Sequence, residues 1–181
     1  MPLKKTYHNG WGAAASFFAV SEKKAGVPLI VLLPENKNIF DCAVNELSFF
    51  ADVPVLAFPS YSQNPFEEVR PLPHIMSERG KTLYDMMRLD DFILVISPYG
   101  LLKKIPEPEE FSGCIVRIKK GEIFPKESLA SSLDKLGYIQ VEFVSGEGEY
   151  AFRGGIADIF PLGEADPIRM EYFDDEIESI F

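Results

Sequence analysis

The chain has 181 residues, 46% of them apolar, and a net charge of −10. That length fits one large domain or two small ones, with enough apolar content for ordinary globular cores. No apolar run reaches eighteen residues, and Lys4 and Lys5 are not followed by a signal-peptide core; this argues against a membrane-spanning or secreted chain and sets a cytoplasmic one as the expectation.

The first half alternates between helical and strand patterns. Residues 12–24 have helical spacing around Phe17 and Val20, stopped by Gly26 and Pro28. Residues 29–33 are a continuous apolar run, the pattern of a strand covered on both faces. Residues 36–51 read as an amphipathic helix with Ile39, Ala43, Leu47 and Phe50 inward, and residues 54–58 as a second short strand. A proline-punctuated loop over 59–73 leads to a helix near 75–88, and residues 92–96 form a third buried strand. Strands alternating with helices in this way predict a doubly wound parallel α/β sheet.

Residues 99–112, with Lys103, Lys104 and the run Pro106-Glu107-Pro108-Glu109-Glu110, read as a linker. It sets a boundary between a parallel α/β domain over 1–106 and a small α+β domain over 107–181. The second domain is expected to open with a strand over 114–119 and a turn at Gly121. A helix follows, begun by Pro125, carrying Leu129, Leu133 and Leu136 inward and stopped at Gly137. Cys42 and Cys114 lie in apolar stretches without spaced partners and are expected to be buried free thiols.

The last thirty-four residues are the most informative. Four short strands are separated by Gly154-Gly155, by Pro161-Leu162-Gly163 and by Asp174-Asp175. Alternation puts Tyr150 and Phe152 on one face, and Glu149, Ala151 and Arg153 on the other. A later strand puts Arg169, Glu171 and Phe173 on one face, opposite Ile168, Met170 and Tyr172. Burying the apolar set presents two arginines, a glutamate and a phenylalanine outward. Such a stripe is a candidate docking surface, because arginine offers a rigid five-donor fork and an exposed aromatic among charges has hot-spot character. The plainer alternative is that Arg153 and Arg169 pair with Glu149 and Glu171 across strands.

Charge distribution bears on the partner. Through Pro106 there are eleven basic and eleven acidic residues; from Glu107 onward there are seven basic and seventeen acidic. A duplex-binding surface needs lysines and arginines to neutralise phosphates. The acidic half repels DNA on average, so its arginines are better suited to a protein.

Catalytic patterns are sparse. His8 and His74 lie far apart in sequence and neither has a GxSxG serine or clustered metal ligands beside it. The acids Asp174, Asp175, Glu176 and Glu178 read as a solvated turn. No GxxxxGK[ST] phosphate loop is present.

The strings Gly-Glu-Tyr-Ala-Phe-Arg-Gly-Gly, Asp-Ile-Phe-Pro and Pro-Ile-Arg-Met-Glu-Tyr-Phe-Asp-Asp-Glu-Ile-Glu-Ser-Ile resemble the second domain of the UvrB-like module. That module is shared by the excision-repair helicase UvrB and the bacterial transcription-repair coupling factors. Fainter similarity extends back through Pro59-Ser60-Tyr61, Asn64-Pro65-Phe66-Glu67 and Ser77-Glu78-Arg79. Where UvrB has its phosphate loop, this chain has Gly10-Trp11-Gly12-Ala13-Ala14-Ala15-Ser16, without the lysine, which favours the amino-terminal module of the coupling factors.

The resemblance implies a degenerate helicase-like first domain and a second domain that docks UvrA, the damage-recognition ATPase. By motif, the docking residues are Arg153, Arg169, Glu171 and Phe173, with Ala151 standing where UvrB usually has a further arginine. The loop 59–73, with Tyr61 and Phe66, is too short for UvrB's long DNA-holding hairpin. The implied parent is far longer, so the chain is expected to be a monomeric, non-catalytic fragment without a cofactor. ATP, Mg, RNA polymerase and DNA would be engaged by other parts of that parent. A UvrB-type helicase fragment that binds nucleotide or damaged DNA is the alternative.

Overall fold

The computed structural model describes residues 12–61, 72–102, 104–162 and 164–181. The chain divides into two compact units, Met1–Lys104 and Ile105–Phe181.

The first unit is built on three parallel strands. They are β1 (Leu29–Leu32), β2 (Val55–Phe58) and β3 (Ile93–Ile96), arranged in the order β1-β3-β2. Helix α1 (Ala14–Ser21) precedes β1, α2 (Lys37–Phe50) joins β1 to β2, and α3 (Pro73–Met86) joins β2 to β3. The first crossover steps over the position of β3 and the second steps back. With both right-handed, α2 and α3 fall on opposite faces. The cores agree with this: Phe40 and Leu47 of α2 pack on Ile93 and Val95, whereas Leu83 and Met86 of α3 pack on Leu56, Phe58, Leu94 and Ile96.

Helix α2 starts where the Asn36 side chain accepts the Ile39 N–H at 3.1 Å, satisfying one donor of its first turn. Arg79 of α3 is buried between the rings of Phe58 and Tyr61. Its guanidinium donates to the Pro59 carbonyl at 2.6 Å and lies against both rings, contacts that partly offset the cost of its burial.

Several sequence expectations change here. β1 is an edge strand: Leu29 and Val31 pack inward while Ile30 and Leu32 are exposed, so it is covered on one face, whereas β3 is buried on both. An apolar run does not distinguish an edge strand from a central one. On α2 the inward residues are Phe40, Ala43 and Leu47, and Ile39 is exposed. Phe17 of α1 is also exposed. Cys42 and Cys114 are exposed rather than buried, Cys42 because it lies outside the Phe40–Ala43–Leu47 stripe. The residues His8, Gly10, Trp11, Asn64, Pro65, Phe66 and Glu67, singled out in the sequence, lie outside the described residues.

The stretch read as a linker contains two short helices, α4 (Pro98–Leu102) and α5 (Pro108–Ser112). The strand expected over 114–119 does not form, because that apolar run gains no partner strand. Helix α6 (Lys126–Lys135) does form, with Leu129 and Leu133 buried and Gly137 at φ +82° ending its last turn.

α6 packs on a five-stranded sheet in the order β4-β5-β6-β7-β8. The strands are β4 (Ile139–Gln140), β5 (Glu149–Arg153), β6 (Ile156–Phe160), β7 (Ile168–Phe173) and β8 (Glu176–Ile180). β4 pairs parallel to β5 and the rest are antiparallel. Tight turns fix the register. Gly154 at φ +58° carries the β5–β6 turn, and Asp174 at φ +57°, a conformation aspartate tolerates, carries the β7–β8 turn. A Cβ on Gly155 would come within 3.0 Å of the Tyr172 carbonyl oxygen, so this turn also needs a residue without a side chain. The core comprises Leu129, Leu133, Tyr150, Ala157, Ile159, Met170, Tyr172 and Ile177. One sheet face is thereby covered, and the other carries the charged stripe.

Candidate protein-docking site

The register decides which side chains meet on the uncovered face. Ala151 lies opposite Asp158, and Asp158 lies opposite Arg169. Arg153 pairs with Ile156, Ile156 with Glu171, and Glu171 with Ser179. Arg153, Arg169, Glu171 and Phe173 therefore share one face of three neighbouring strands, with Phe173 71% exposed at its end.

The two arginines converge on Asp158. Arg169 donates from Nε to Oδ1 at 2.7 Å and from Nη2 to Oδ2 at 3.0 Å, a bidentate pairing. Arg153 donates from Nη2 to Oδ2 at 2.6 Å. The carboxylate is nearly buried, while the arginine side chains stay 40% and 50% exposed. These contacts, led by the Arg169 hydrogen bond, hold the Asp158 carboxyl below the usual carboxylate range. The same bond raises the Arg169 guanidinium above its ordinary value. Two fixed cations over one carboxylate leave an excess positive charge on an otherwise acidic half.

The glutamates serve other partners. Glu149 accepts from the Ser145 and Gly146 N–H groups at 2.8 and 2.9 Å, which lowers its pKa and fastens the loop before β5. Glu171 accepts from the Ser179 hydroxyl at 2.8 Å. The cross-strand pairing of Arg153 and Arg169 with Glu149 and Glu171 is thus replaced by pairing with Asp158. Ala151 is buried on this face, so no charged side chain stands at the position where UvrB usually has a further arginine.

Sequence reasoning missed Asp158. Its signal was present: in Ile-Ala-Asp-Ile-Phe, alternation turns Asp158 away from the Ala157 and Ile159 face. Phe143 was missed too. Its ring lies under the Arg153 guanidinium, 4.9 Å from carbon to centroid, yet it comes from irregular chain that no periodicity marks.

Elsewhere, the carboxyl ends of β1–β3 open onto a cavity of about 440 Å³ lined by residues including Lys37, Asp41, His74, Glu78 and Ser97. Burial and the nearby Asp41 push the Glu78 carboxyl up. Among the described residues no cluster of histidine, cysteine or carboxylate ligands fits a metal ion, and no helix is long and apolar enough to cross a membrane.

Comparison with known proteins agrees with the resemblance. Residues 116–181 match the family described as the UvrB interaction domain. The transcription-repair-coupling factor of Escherichia coli (strain K12) is 30% identical over 171 residues, covering 94% of this chain and 15% of that protein. The transcription-repair-coupling factor of Staphylococcus aureus (strain MRSA252) is 32% identical over 178 residues, 97% of this chain and 15% of its own length. That of Bacillus subtilis (strain 168) is 28% identical over 170 residues, 93% and 14% respectively. The chain thus spans only 14–15% of the length of these relatives. Residues 116–181 thus match the UvrB interaction domain family, within a chain similar over nearly its whole length to part of the bacterial transcription-repair-coupling factors.

Proposed function

We propose that this chain is a non-catalytic recruiting module that docks UvrA through the outward face of β5–β7. Arg153, Arg169, Glu171 and Phe173 form the contact surface. Within a full-length coupling factor, the module brings the excision-repair machinery to stalled RNA polymerase. The polymerase and the DNA are engaged by other parts of that protein, which also carry an ATP- and Mg-dependent motor. The module itself needs no cofactor and acts as a monomer in the cytoplasm.

One observation carries this reading: two guanidiniums are oriented by a nearly buried carboxylate yet stay open to solvent, in a UvrB interaction domain. A purely structural ion pair gains little at the surface. A pre-oriented pair beside an exposed aromatic is suited to recognition, because the side chains are already ordered before binding. The excess of acids from Glu107 onward supports a protein partner over a nucleic acid. The test is a calorimetric titration of the chain with purified UvrA, repeated with UvrB as competitor. Saturable binding that UvrB displaces supports the proposal; no heat at micromolar concentrations refutes it.

A further inference from the structure

Beside the paired arginines the surface is not flat. A recess of about 350 Å³ is floored by Arg153, Asp158 and Arg169 and walled by Phe143 and Val144 on one flank, Pro167 and Phe181 on the other. Phe181 is held there by the backbone: its N–H donates to the Arg169 carbonyl at 2.8 Å, and the Arg169 N–H returns the bond at 3.0 Å. The ring therefore stands next to Arg169 on the docking face. Phe143 reaches the opposite flank from the loop before β5, where it lies against the Arg153 guanidinium.

Both rings are largely in water, 60% exposed for Phe143 and 71% for Phe181. Two exposed aromatics flanking a charged floor form an apolar rim. The floor has a definite sign. Arg153 commits Nη2 to Asp158 and Arg169 commits Nε and Nη2, so each keeps an Nη1 group without an acceptor among the described residues. Of the charged groups lining the recess two are positive and one is negative, with Glu171 outside the lining but near enough to act on Arg169. The recess is therefore a local positive well with greasy sides. Lysine or arginine from a partner gains nothing there. A phosphate backbone would meet repulsion from the surroundings and find no use for the apolar walls.

We infer that this recess anchors a partner segment that inserts a carboxylate between Arg153 and Arg169 and lays an adjacent apolar side chain between Phe143 and Phe181. The inference rests on the UvrA-docking reading and specifies the chemistry of the UvrA element that docks: an acidic residue next to a leucine-like or aromatic one. It makes Phe143 and Phe181 contact residues alongside the four already named. Desolvation by the two rings strengthens the guanidinium–carboxylate contact, the arrangement of a hot spot with its water-excluding rim.

The test is a set of calorimetric titrations with UvrA, each variant first checked for parental thermal unfolding. Because both rings are exposed, Phe143→Ala and Phe181→Ala are expected to fold normally. Each should weaken binding about tenfold, the ordinary effect of losing an interface anchor. Phe143→Leu, which keeps the apolar wall, should stay within about threefold of the parent. Phe49→Ala, an exposed ring in the other unit, should change nothing. If Arg153→Ala weakens binding while Phe143→Ala and Phe181→Ala bind like the parent, the recess is not the anchor and the docking reading survives. If the arginine and phenylalanine variants all bind like the parent, both fail. Salt-dependent binding to a DNA duplex that disappears in Arg153→Ala would assign the recess to nucleic acid and overturn the inference.

Discussion

Asp158 and Arg169 lie opposite each other on adjacent antiparallel strands and share two hydrogen bonds, at 2.7 and 3.0 Å, on the face of the sheet away from the core. Arg153, one strand away on a diagonal, completes the arrangement through Asp158 rather than through a glutamate. Asp158 therefore orients the surface more than it takes part in it.

That role gives the first prediction. Asp158→Asn removes the negative charge that holds the two guanidiniums together, while preserving the shape of the side chain. The expected outcome is a modest loss of stability, about 1 kcal/mol or less because the arginines are solvent-screened. UvrA affinity should fall by about tenfold, since two arginine contacts lose their orientation together. Paired denaturant melts and titrations separate the two effects. An unchanged affinity would remove Asp158 from the docking account.

The acid limit follows from the same carboxylate. Its folded-state pKa lies below that of an unfolded aspartate, so its contribution is present above about pH 3.9, the ordinary value, and is lost as pH falls through the lower folded value. Ion-pair stabilisation of the sheet should therefore be flat from neutral pH down to about pH 5 and fade below about pH 4. Thermal melts of the parent and Asp158→Asn across this range should converge at the acid end. A difference that is largest at acid pH has the wrong sign for this account.

The alkaline limit belongs to the core. The Tyr150 hydroxyl donates to Asp134 Oδ1 at 2.7 Å, and burial, with that carboxylate, pushes its pKa up to about 12. A raised value means that the stability it contributes is complete below about pH 10, the unfolded tyrosine value, and is lost as pH rises toward the folded one. Ultraviolet titration should show one tyrosine ionising last, absent in Tyr150→Phe. If Tyr150→Phe leaves that late phase in place, the assignment is wrong.

Packing of α6 on the sheet sets the stability of the second unit. Leu129 is fully buried among Leu133, Tyr150, Met170 and Ile177. Leu129→Ala should cost about 2–5 kcal/mol, the transfer term plus the cavity left behind. Chemical denaturation reads this directly, and a cost below about 1 kcal/mol would contradict the packing described.

Much of this was legible in the sequence, and the exceptions have physical causes. The β5–β8 strands could be read because side chains alternate and glycine or aspartate pairs punctuate them. Alternation also put Arg153, Arg169, Glu171 and Phe173 on one face correctly. It left open which acid the arginines meet, because that depends on register between strands, set by turn geometry and not by any one strand's pattern. Asp158 emerged only when Ala151, Asp158 and Arg169 were aligned across three strands. In the first unit, the apolar run at Leu29–Leu32 resembled that at Ile93–Ile96, yet one is an edge and the other central. Hydrophobicity records what a strand tolerates, and sheet order decides what covers it. The unpaired apolar run over 114–119 teaches the same lesson, since strand propensity without a neighbouring strand gives no ladder.

The most direct measurement is the UvrA affinity of the parent chain set beside those of Arg153→Ala, Arg169→Ala and Phe173→Ala, each first shown to melt like the parent. The account predicts that every variant folds and that each loses about 1–3 kcal/mol of binding free energy. Three folded variants that all retain parental affinity would contradict it.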